Sequence, residues 1–377
     1  MKLNKTLKIY KLPKETDTQL NSKYDIIAMD YPAQPQFGYG FNHFLWQSYE
    51  LFNDMLNKHK GKTFYNIINQ FEMLLIDQQR ENELFNNIKT YLDIDKEQIH
   101  STIFLHLWEI IFISHKGISP SDTSNLINNK SSVFINTTNE NDIKSAINSF
   151  AKKILKKTDI KYVDKSKNND LTIIMIDEYK TLLDQESYCF IELFKKVINS
   201  FDNLNDDGNM VIRLNDTFTI PTNKMIMLCN ILFDTTYIYK PYYSRLYESE
   251  KYLICKTFNK TKYNKISKKL TKLSSDINDK QFIIDFMSDI TISPSLMTVL
   301  ADINIFLSGL QHKEKNKIMT YVNSNDYFGN TYQEANQEQF DCVEFFVSHF
   351  FPINQNDFIA LQKQIAKIQQ DNIIFNY

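Results

Sequence analysis

The sequence predicts an α/β protein whose central sheet is mostly parallel and is closed by one antiparallel strand. In the middle of the chain, short apolar runs alternate with segments of helical periodicity, a pattern typical of parallel strands joined by helical crossovers. The last two apolar runs are separated only by residues 241–251, which are too few for a helical crossover. The final strand is therefore expected to run antiparallel to its neighbour.

Six apolar runs are the predicted strands. They cover Ser132–Asn136, 160–164, 171–176, 210–214, 236–240 and 252–257. The clearest helix is predicted over Gln185–Phe201, where apolar residues recur at helical spacing on one face. Thr222 is predicted to cap the next helix, at 223–233. Asp207-Gly208 is predicted to form the turn before the fourth strand.

The composition limits the class of protein. With 377 residues, of which 42% are hydrophobic, the chain is long enough for a large core. A net charge of −2 excludes a generally basic nucleic-acid binder, so contact with a polyanion has to come from local clusters. The four cysteines lie far apart and form no C-x-x-C pair, which argues against a zinc site and a disulfide framework. We expect no metal site.

No segment is expected to enter a membrane. The longest apolar run, residues 102–114, is interrupted by His106 and Glu109 and is too short to span a bilayer. The N-terminus has no apolar signal-peptide core. We expect a soluble cytoplasmic protein.

Three regions are predicted along the chain. Residues 1–95 form an N-terminal extension, and residues 96–258 carry the alternating strands and helices. Residues 259–377 begin with a lysine-dense connector and continue as a mainly helical C-terminal region.

Several stretches of the chain carry a family pattern. The segment that begins at Lys240, KPYYSRLYESEKY, matches the form K-P-x-x-S-R-x-x-x-S-E-K-Y and is followed by an apolar strand. The stretch DDGNMVIRLNDTFT lies upstream and contains a glycine turn, a strand and an F-T segment. Further upstream, IFLHLWEII resembles a helix of the form aromatic-x-K-L-x-E-I. The N-terminal segment of the pattern is YPAQPQFGYGFNHF. The chain thus resembles the FtsJ-like, or RrmJ-type, RNA 2'-O-ribose methyltransferases, most closely the branch found in large DNA viruses. The resemblance implies a Rossmann-like methyltransferase sheet with N-terminal and helical C-terminal extensions.

The resemblance also implies a reaction and the residues for it. The family transfers a methyl group from S-adenosylmethionine to a ribose 2'-hydroxyl, and a Lys-Asp-Lys-Glu tetrad assists removal of the proton. Mapped onto this chain, the four positions are His106, Asp177, Arg213 and Glu250. Both acids match the family, and both lysines are replaced. Two structural alternatives stay open: Asp177 caps a helix, or Glu250 pairs with Arg245.

The replaced lysines argue against catalysis. The guanidinium of Arg213 stays protonated at any accessible pH, so it can hold an anion but cannot remove a proton. His106 is either a base or a hydrogen-bonded core residue. No glycine occurs between Gly117 and Gly208, where the family needs a glycine turn beside the cofactor. We expect no bound cofactor, with S-adenosylmethionine as the cofactor if the protein is active, and we assign no cofactor-binding residues.

A basic surface is predicted to contact RNA. Its candidate residues are Lys240, Ser244, Arg245, Lys256 and Lys260. The lysines of residues 256–272 form either a solvated linker or a phosphate track in which Phe258 and Tyr263 stack on bases.

The leading hypothesis is a methyltransferase fold without catalysis. Such a protein would serve as an RNA-associated or scaffold subunit linked to viral mRNA capping or RNA modification. Its candidate partners are RNA and an active capping or modification enzyme, and a viral protein of this kind would act in the virus factory or the virion. The first alternative is an active RNA 2'-O-ribose methyltransferase, and the second is a structural component of the virion or factory.

Overall fold

The protein is organised around one seven-stranded sheet with helices on both faces. The computed structural model describes residues 8–36, 39–58, 102–118, 125–128, 130–156, 159–165, 167–176, 185–278, 280–324 and 329–351.

Nine strands occur in this described part of the chain. They are β1 (Lys8–Lys11), β2 (Ile26–Met29), β3 (Ser132–Asn136), β4 (Lys161–Tyr162), β5 (Asn169–Ile174), β6 (Leu204–Leu214), β7 (Phe233–Lys240), β8 (Lys251–Phe258) and β9 (Phe282–Phe286). Strands β2 and β9 pair with each other in a separate two-stranded sheet. The other seven form the main sheet in the order β1-β7-β8-β6-β5-β3-β4.

Most strands of the main sheet run in one direction. Strand β3 is parallel to β4 and to β5, and β5 is parallel to β6. Strand β8 lies between β6 and β7 and is antiparallel to both. The predicted α/β class and its antiparallel closing strand are therefore confirmed. A second antiparallel strand, β1, lies beside β7 at the edge of the sheet, where the sequence indicated no strand.

Eight α-helices are seen across the described residues. They are α1 (Tyr39–Lys58), α2 (Ile103–Lys116), α3 (Glu140–Phe150), α4 (Gln185–Phe201), α5 (Ile220–Leu232), α6 (Lys260–Ser275), α7 (Pro294–Ser324) and α8 (Asn330–Phe350). Successive residues of a strand point to opposite faces of the sheet. Val211 thus joins the core formed with α2, α3 and α8, whereas Met210 and Ile212 join the core formed with α4 to α7.

The boundaries of several elements differ from the predictions. Strand β3 and helix α4 have the predicted bounds. Helix α5, however, begins at Ile220 after Thr219, so Thr222 lies inside the helix and is not its cap. Pro221 favours this earlier start, because a first-turn residue needs no N–H group for the helix.

Two further predictions are wrong for physical reasons that local sequence hides. The residues Asp207 and Gly208 lie within β6, where Asp207 has a φ of 61° and the pairing with β5 jumps from Leu204 to Asn209. They form a bulge in the strand rather than a turn before it. The lysine-dense segment after β8 is helix α6, because its apolar side chains are buried along one face of the helix.

The carboxylate of Glu186 on α4 fixes the loop that leads into α5. It accepts hydrogen bonds from the backbone N–H groups of Phe218 and Thr219, at 2.9 and 3.0 Å, and from Oγ1 of Thr219 at 2.7 Å. An anion at the start of a helix also interacts favourably with the helix dipole. Glu186 therefore ties α4 to the segment that follows β6.

We predict that Glu186→Gln lowers the free energy of unfolding by about 2 kcal/mol, because an amide cannot accept all three hydrogen bonds. Thermal or urea unfolding of the full chain measures the change. The control is Glu192→Gln on the same helix, whose exposed carboxylate only pairs with Lys196 at 2.9 Å. Its effect is expected to stay below about 0.5 kcal/mol, and equal effects of the two substitutions would contradict the prediction.

Candidate functional site

Three of the four predicted site residues meet beside the start of β8. His106 comes from α2, Arg213 from β6, and Glu250 directly precedes β8. Nδ1 of His106 lies 3.5 Å from Oε1 of Glu250, and Nη2 of Arg213 donates to Oε2 of the same carboxylate. The fourth residue, Asp177, lies outside the described residues.

The antiparallel pairing of β6 and β8 produces this arrangement. Arg213 is the pairing partner of Tyr252, so both side chains project from the same face of the sheet, towards α2. The hydroxyl of Tyr252 lies 3.2 Å from Nδ1 of His106. Glu250 is two residues before Tyr252 and therefore reaches the same face.

The site is buried except for one side chain. The side chains of His106 and Glu250 are 3% and 6% exposed, and that of Arg213 is 16% exposed. Arg213 is therefore the residue of this group with the most exposed side chain.

Burial and charge set the protonation states. Burial lowers the pKa of His106 to about 4, and the positive charges of Arg213 and Lys240 act in the same direction, against the attraction of Glu250. Burial would raise the pKa of Glu250, but the neighbouring positive charges outweigh it and hold that pKa below its usual range. At neutral pH the group is a neutral imidazole beside a carboxylate–guanidinium pair.

Three of the five residues predicted to contact RNA are buried, so the prediction is wrong for them. Lys240 donates from Nζ to the carbonyl oxygens of Arg245, Glu248 and Glu250, at 3.1, 2.7 and 3.0 Å. Ser244 donates from Oγ to the carbonyl oxygen of Pro241 at 2.7 Å. Lys256 is fully buried. Lys240 and Ser244 hold the turn between β7 and β8. Because all three side chains are buried, none of them is accessible to RNA.

The other two predicted RNA contacts differ from each other. Lys260 donates from Nζ to the carbonyl oxygens of Phe201, Asp202 and Leu204, at 3.0, 2.7 and 2.9 Å, so it holds the end of α4. That role leaves its amine unsuited to a phosphate. Arg245 is more than a third exposed and pairs with Glu248 at 3.0 Å.

Two related expectations also change. The sequence left open an ion pair between Arg245 and Glu250; in the structure Arg245 pairs with Glu248, and Glu250 pairs with Arg213. Phe258 and Tyr263, expected to stack on bases, are buried in the core. Neither ring is available to RNA.

Glu109 is a structural residue that the sequence analysis missed. It is fully buried on α2 and accepts hydrogen bonds from the hydroxyl of Tyr239 and from the backbone N–H groups of Tyr242 and Tyr243. Burial raises the pKa of Glu109 to about 7, although these hydrogen bonds favour the carboxylate. The available signal was an acid within the otherwise apolar helix IFLHLWEII.

The loop after β3 contains no glycine. It consists of Thr137, Thr138 and Asn139, and the N–H of Asn139 donates to Oγ1 of Thr137 at 3.3 Å. Each residue carries a Cβ, whereas close approach of the backbone to a nucleotide cofactor uses glycine. At the neighbouring strand end, Lys196 donates from Nζ to the carbonyl oxygen of Met175 at 3.0 Å.

The described part of the chain lacks both a metal-binding cluster and a membrane-spanning helix. No group of three or more metal-ligating side chains is found there, and all four cysteines are free. None of the helices described has the length and apolar character needed to cross a bilayer.

The mostly parallel seven-stranded sheet, with helices on both faces, defines a Rossmann-like α/β protein. No protein-family model matches the chain. Over 127 residues, 34% of this chain, it is 28% identical to the cap-specific mRNA (nucleoside-2'-O-)-methyltransferase 1 of Dictyostelium discoideum. The matched stretch is 17% of that relative's length. The similarity agrees with the resemblance to the RNA 2'-O-methyltransferases.

We predict that Glu250→Gln lowers the free energy of unfolding by about 3 kcal/mol, because it leaves the buried positive charges of Arg213 and Lys240 without their carboxylate. Chemical denaturation at pH 7 measures the loss. The matched control is Glu248→Gln, two residues away, where an ion pair more than a third exposed is broken. We expect less than about 1 kcal/mol there, and a loss as large as that of Glu250→Gln would refute the role of burial.

We also predict that His106 makes the protein less stable in acid. Its pKa is about 4 in the folded state and about 6.5 in the unfolded chain, so the unfolded state binds the proton first. The contribution of His106 to stability is complete above pH 6.5 and falls by about 3 kcal/mol as the pH drops from 6.5 to 4, whereas Glu109, whose pKa is raised to about 7, contributes a change of the opposite sign over the same range. The carboxylate of Glu250 has a lowered pKa and contributes its own loss at lower pH.

Unfolding midpoints measured from pH 7 to pH 4 test this for the wild type and for His106→Gln. Relative to the wild type, the stability of His106→Gln is expected to rise by about 3 kcal/mol between pH 7 and pH 4, while His349→Asn at an exposed position shows no such change relative to the wild type. An unchanged slope in His106→Gln would exclude His106 as the titrating group.

Proposed function

We propose that this protein is a noncatalytic, RNA-associated subunit built on the fold of an FtsJ-like methyltransferase. The observation that carries the proposal is the group of His106, Arg213 and Glu250: the family's site positions come together, but no residue among these three is a working base. The middle region, residues 96–258, would carry the methyltransferase fold, with residues 1–95 and 259–377 as extensions.

None of the described residues at the site is suited to remove the proton from a ribose hydroxyl. Arg213 stays protonated and cannot accept a proton from a ribose hydroxyl. A pKa of about 4 makes His106 a weak base near neutral pH, and its ring is buried. Burial lowers the pKa of Lys240 to about 8, but three carbonyl oxygens hold its amine inside the turn.

The loop after β3 is unsuited to the cofactor. Residues 137–139 offer no glycine, and the backbone there closes on a threonine side chain. A protein that retains the fold but lacks the glycine turn would provide a binding surface and would not catalyse methyl transfer. Arg213 has the most exposed side chain of the group, and a guanidinium is a group that can hold a phosphate or carboxylate.

The association with RNA is supported by the relative, whose name describes a cap-specific mRNA methyltransferase. On this basis we propose a role beside an active capping or RNA-modifying enzyme. The viral resemblance of the motifs favours a viral capping system, with the protein in the cytoplasmic virus factory or the virion.

Two alternative functions would require different ligands. An active 2'-O-methyltransferase would use His106 as the base, a role that its 3.5 Å distance from Glu250 favours, and would need S-adenosylmethionine. A structural virion or factory component would need neither the cofactor nor RNA.

We predict that S-adenosylmethionine and S-adenosylhomocysteine do not bind the purified full chain below about 1 mM, a free energy weaker than about −4 kcal/mol. Isothermal titration measures the affinity, and transfer of a labelled methyl group to capped RNA measures activity. Micromolar binding, or methyl transfer that saturates the RNA, would overturn the noncatalytic assignment.

The double variant His106→Lys/Arg213→Lys separates the effect of the missing lysines from the effect of the loop without glycine. It restores the family's lysines but leaves the loop after β3 unchanged. We expect it to remain inactive. Activity in this variant alone would show that the loop does accept the cofactor and that the lysines were the only loss.

A further inference from the structure

The structure sorts the lysines of α6 into two sets. The helix carries six lysines and no acidic residue. Three of them have partners within the protein: Lys260 holds carbonyl oxygens at the end of α4, Lys262 pairs with Asp17 at 2.8 Å, and Lys269 lies 5.1 Å from the ring centre of Tyr24. The other three, Lys265, Lys268 and Lys272, are exposed, and among the described residues their ammonium groups make no ion pair or hydrogen bond.

These three lysines form a stripe with a fixed direction. Positions 265, 268 and 272 are three and four residues apart and therefore neighbour one another on one face of the helix. At a rise of 1.5 Å per residue, the stripe is about 10 Å long. Another face of α6, with Tyr263, Ile266, Leu270 and Leu273, is buried in the core. This packing keeps the stripe pointing to solvent.

The three lysines of the stripe repel one another, and this repulsion does not help the protein to fold. Like charges three or four residues apart destabilise a helix, and solvated helices usually offset them with acids at the same spacing. No acid does so within α6. Because the whole chain has a net charge of −2, the stripe is a local concentration of positive charge on a nearly neutral protein.

We propose that the exposed lysine stripe of α6 binds the phosphate backbone of RNA. The residues between the lysines favour this partner over a membrane surface: Asn264 and Thr271 are polar and exposed, and the apolar side chains that would enter a lipid layer are buried. The inference rests on the proposed function for the choice of RNA, but it locates the contact on a helix that carries none of the tetrad positions.

The experiment measures binding of the full chain to a fluorescent single-stranded RNA of 20 nucleotides between 50 and 200 mM salt. In Lys265→Gln/Lys268→Gln/Lys272→Gln, we expect the affinity to fall by about tenfold or more. The slope of log K against log salt should become shallower by about 2, since each phosphate contact on a single strand contributes about 0.7. The matched control is Lys130→Gln/Lys161→Gln/Lys165→Gln, which removes the same charge from other exposed positions.

Each outcome has a distinct meaning. If the wild type binds RNA and the stripe variant binds equally well, the inference fails and the RNA association stands. If both triple variants lose affinity equally, only net charge matters and the inference also fails. If the wild type does not bind RNA, both the inference and the proposed RNA association fail. Loss of binding to phosphatidylserine vesicles, without a loss for RNA, would assign the stripe to a membrane. Equal unfolding midpoints of the three proteins verify the fold.

Discussion

The turn between β7 and β8 is held by two buried ionisable side chains, Lys240 and Glu109, and the candidate site depends on them. Residues 241–250 belong to no strand, so their backbone groups need other partners. The ammonium of Lys240 donates hydrogen bonds to three carbonyl oxygens of the turn, and the carboxyl group of Glu109 accepts hydrogen bonds from two of its N–H groups. Glu250 is the last residue of this turn, and its place beside Arg213 follows from the two anchors. Removing either anchor would leave buried polar groups without partners, a loss that few surface contacts can offset.

The C-terminal region supports the same turn from the opposite face of the sheet. On α7, the side-chain amide of Asn304 donates to the carbonyl oxygen of Thr217 at 2.7 Å, and Gln311 donates to that of Tyr247 at 3.0 Å. One turn further, Lys315 is buried, and burial lowers its pKa to about 7 against the attraction of Asp216 and Glu248. Helix α7 thus contacts both the segment after β6 and the turn before β8. The helical extension takes part in positioning the loops on either side of Arg213 and Glu250.

The sequence predicted what depends on local pattern and on chain length between elements. Periodicity located α4, and the short link after β7 required β8 to be antiparallel. The motif positions His106, Arg213 and Glu250 also came together, since strand pairing carries them to one face. Burial of lysines was not predictable, because a lysine such as Lys240 or Lys256 has the same residue type whether it binds carbonyl oxygens in the core or phosphates outside. Strand β1 was missed for a related reason: its partner, β7, lies more than 200 residues along the chain, and four residues carry no pattern of their own.

Replacing lysine by arginine changes what the carboxylate of Glu250 does. A buried lysine beside a glutamate can give up its proton, because burial lowers its pKa and the neutral amine is then a base. Arginine keeps its charge, so Arg213 and Glu250 form an ion pair at every pH at which Glu250 is ionised. Such a pair is static: it fixes the end of the turn to β6 and passes no proton. The neutral ring of His106 completes the change, since it fills the adjacent space and hydrogen-bonds to Tyr252 without adding charge. The three residues therefore form a static group around the carboxylate of Glu250, an arrangement that agrees with the proposed noncatalytic role.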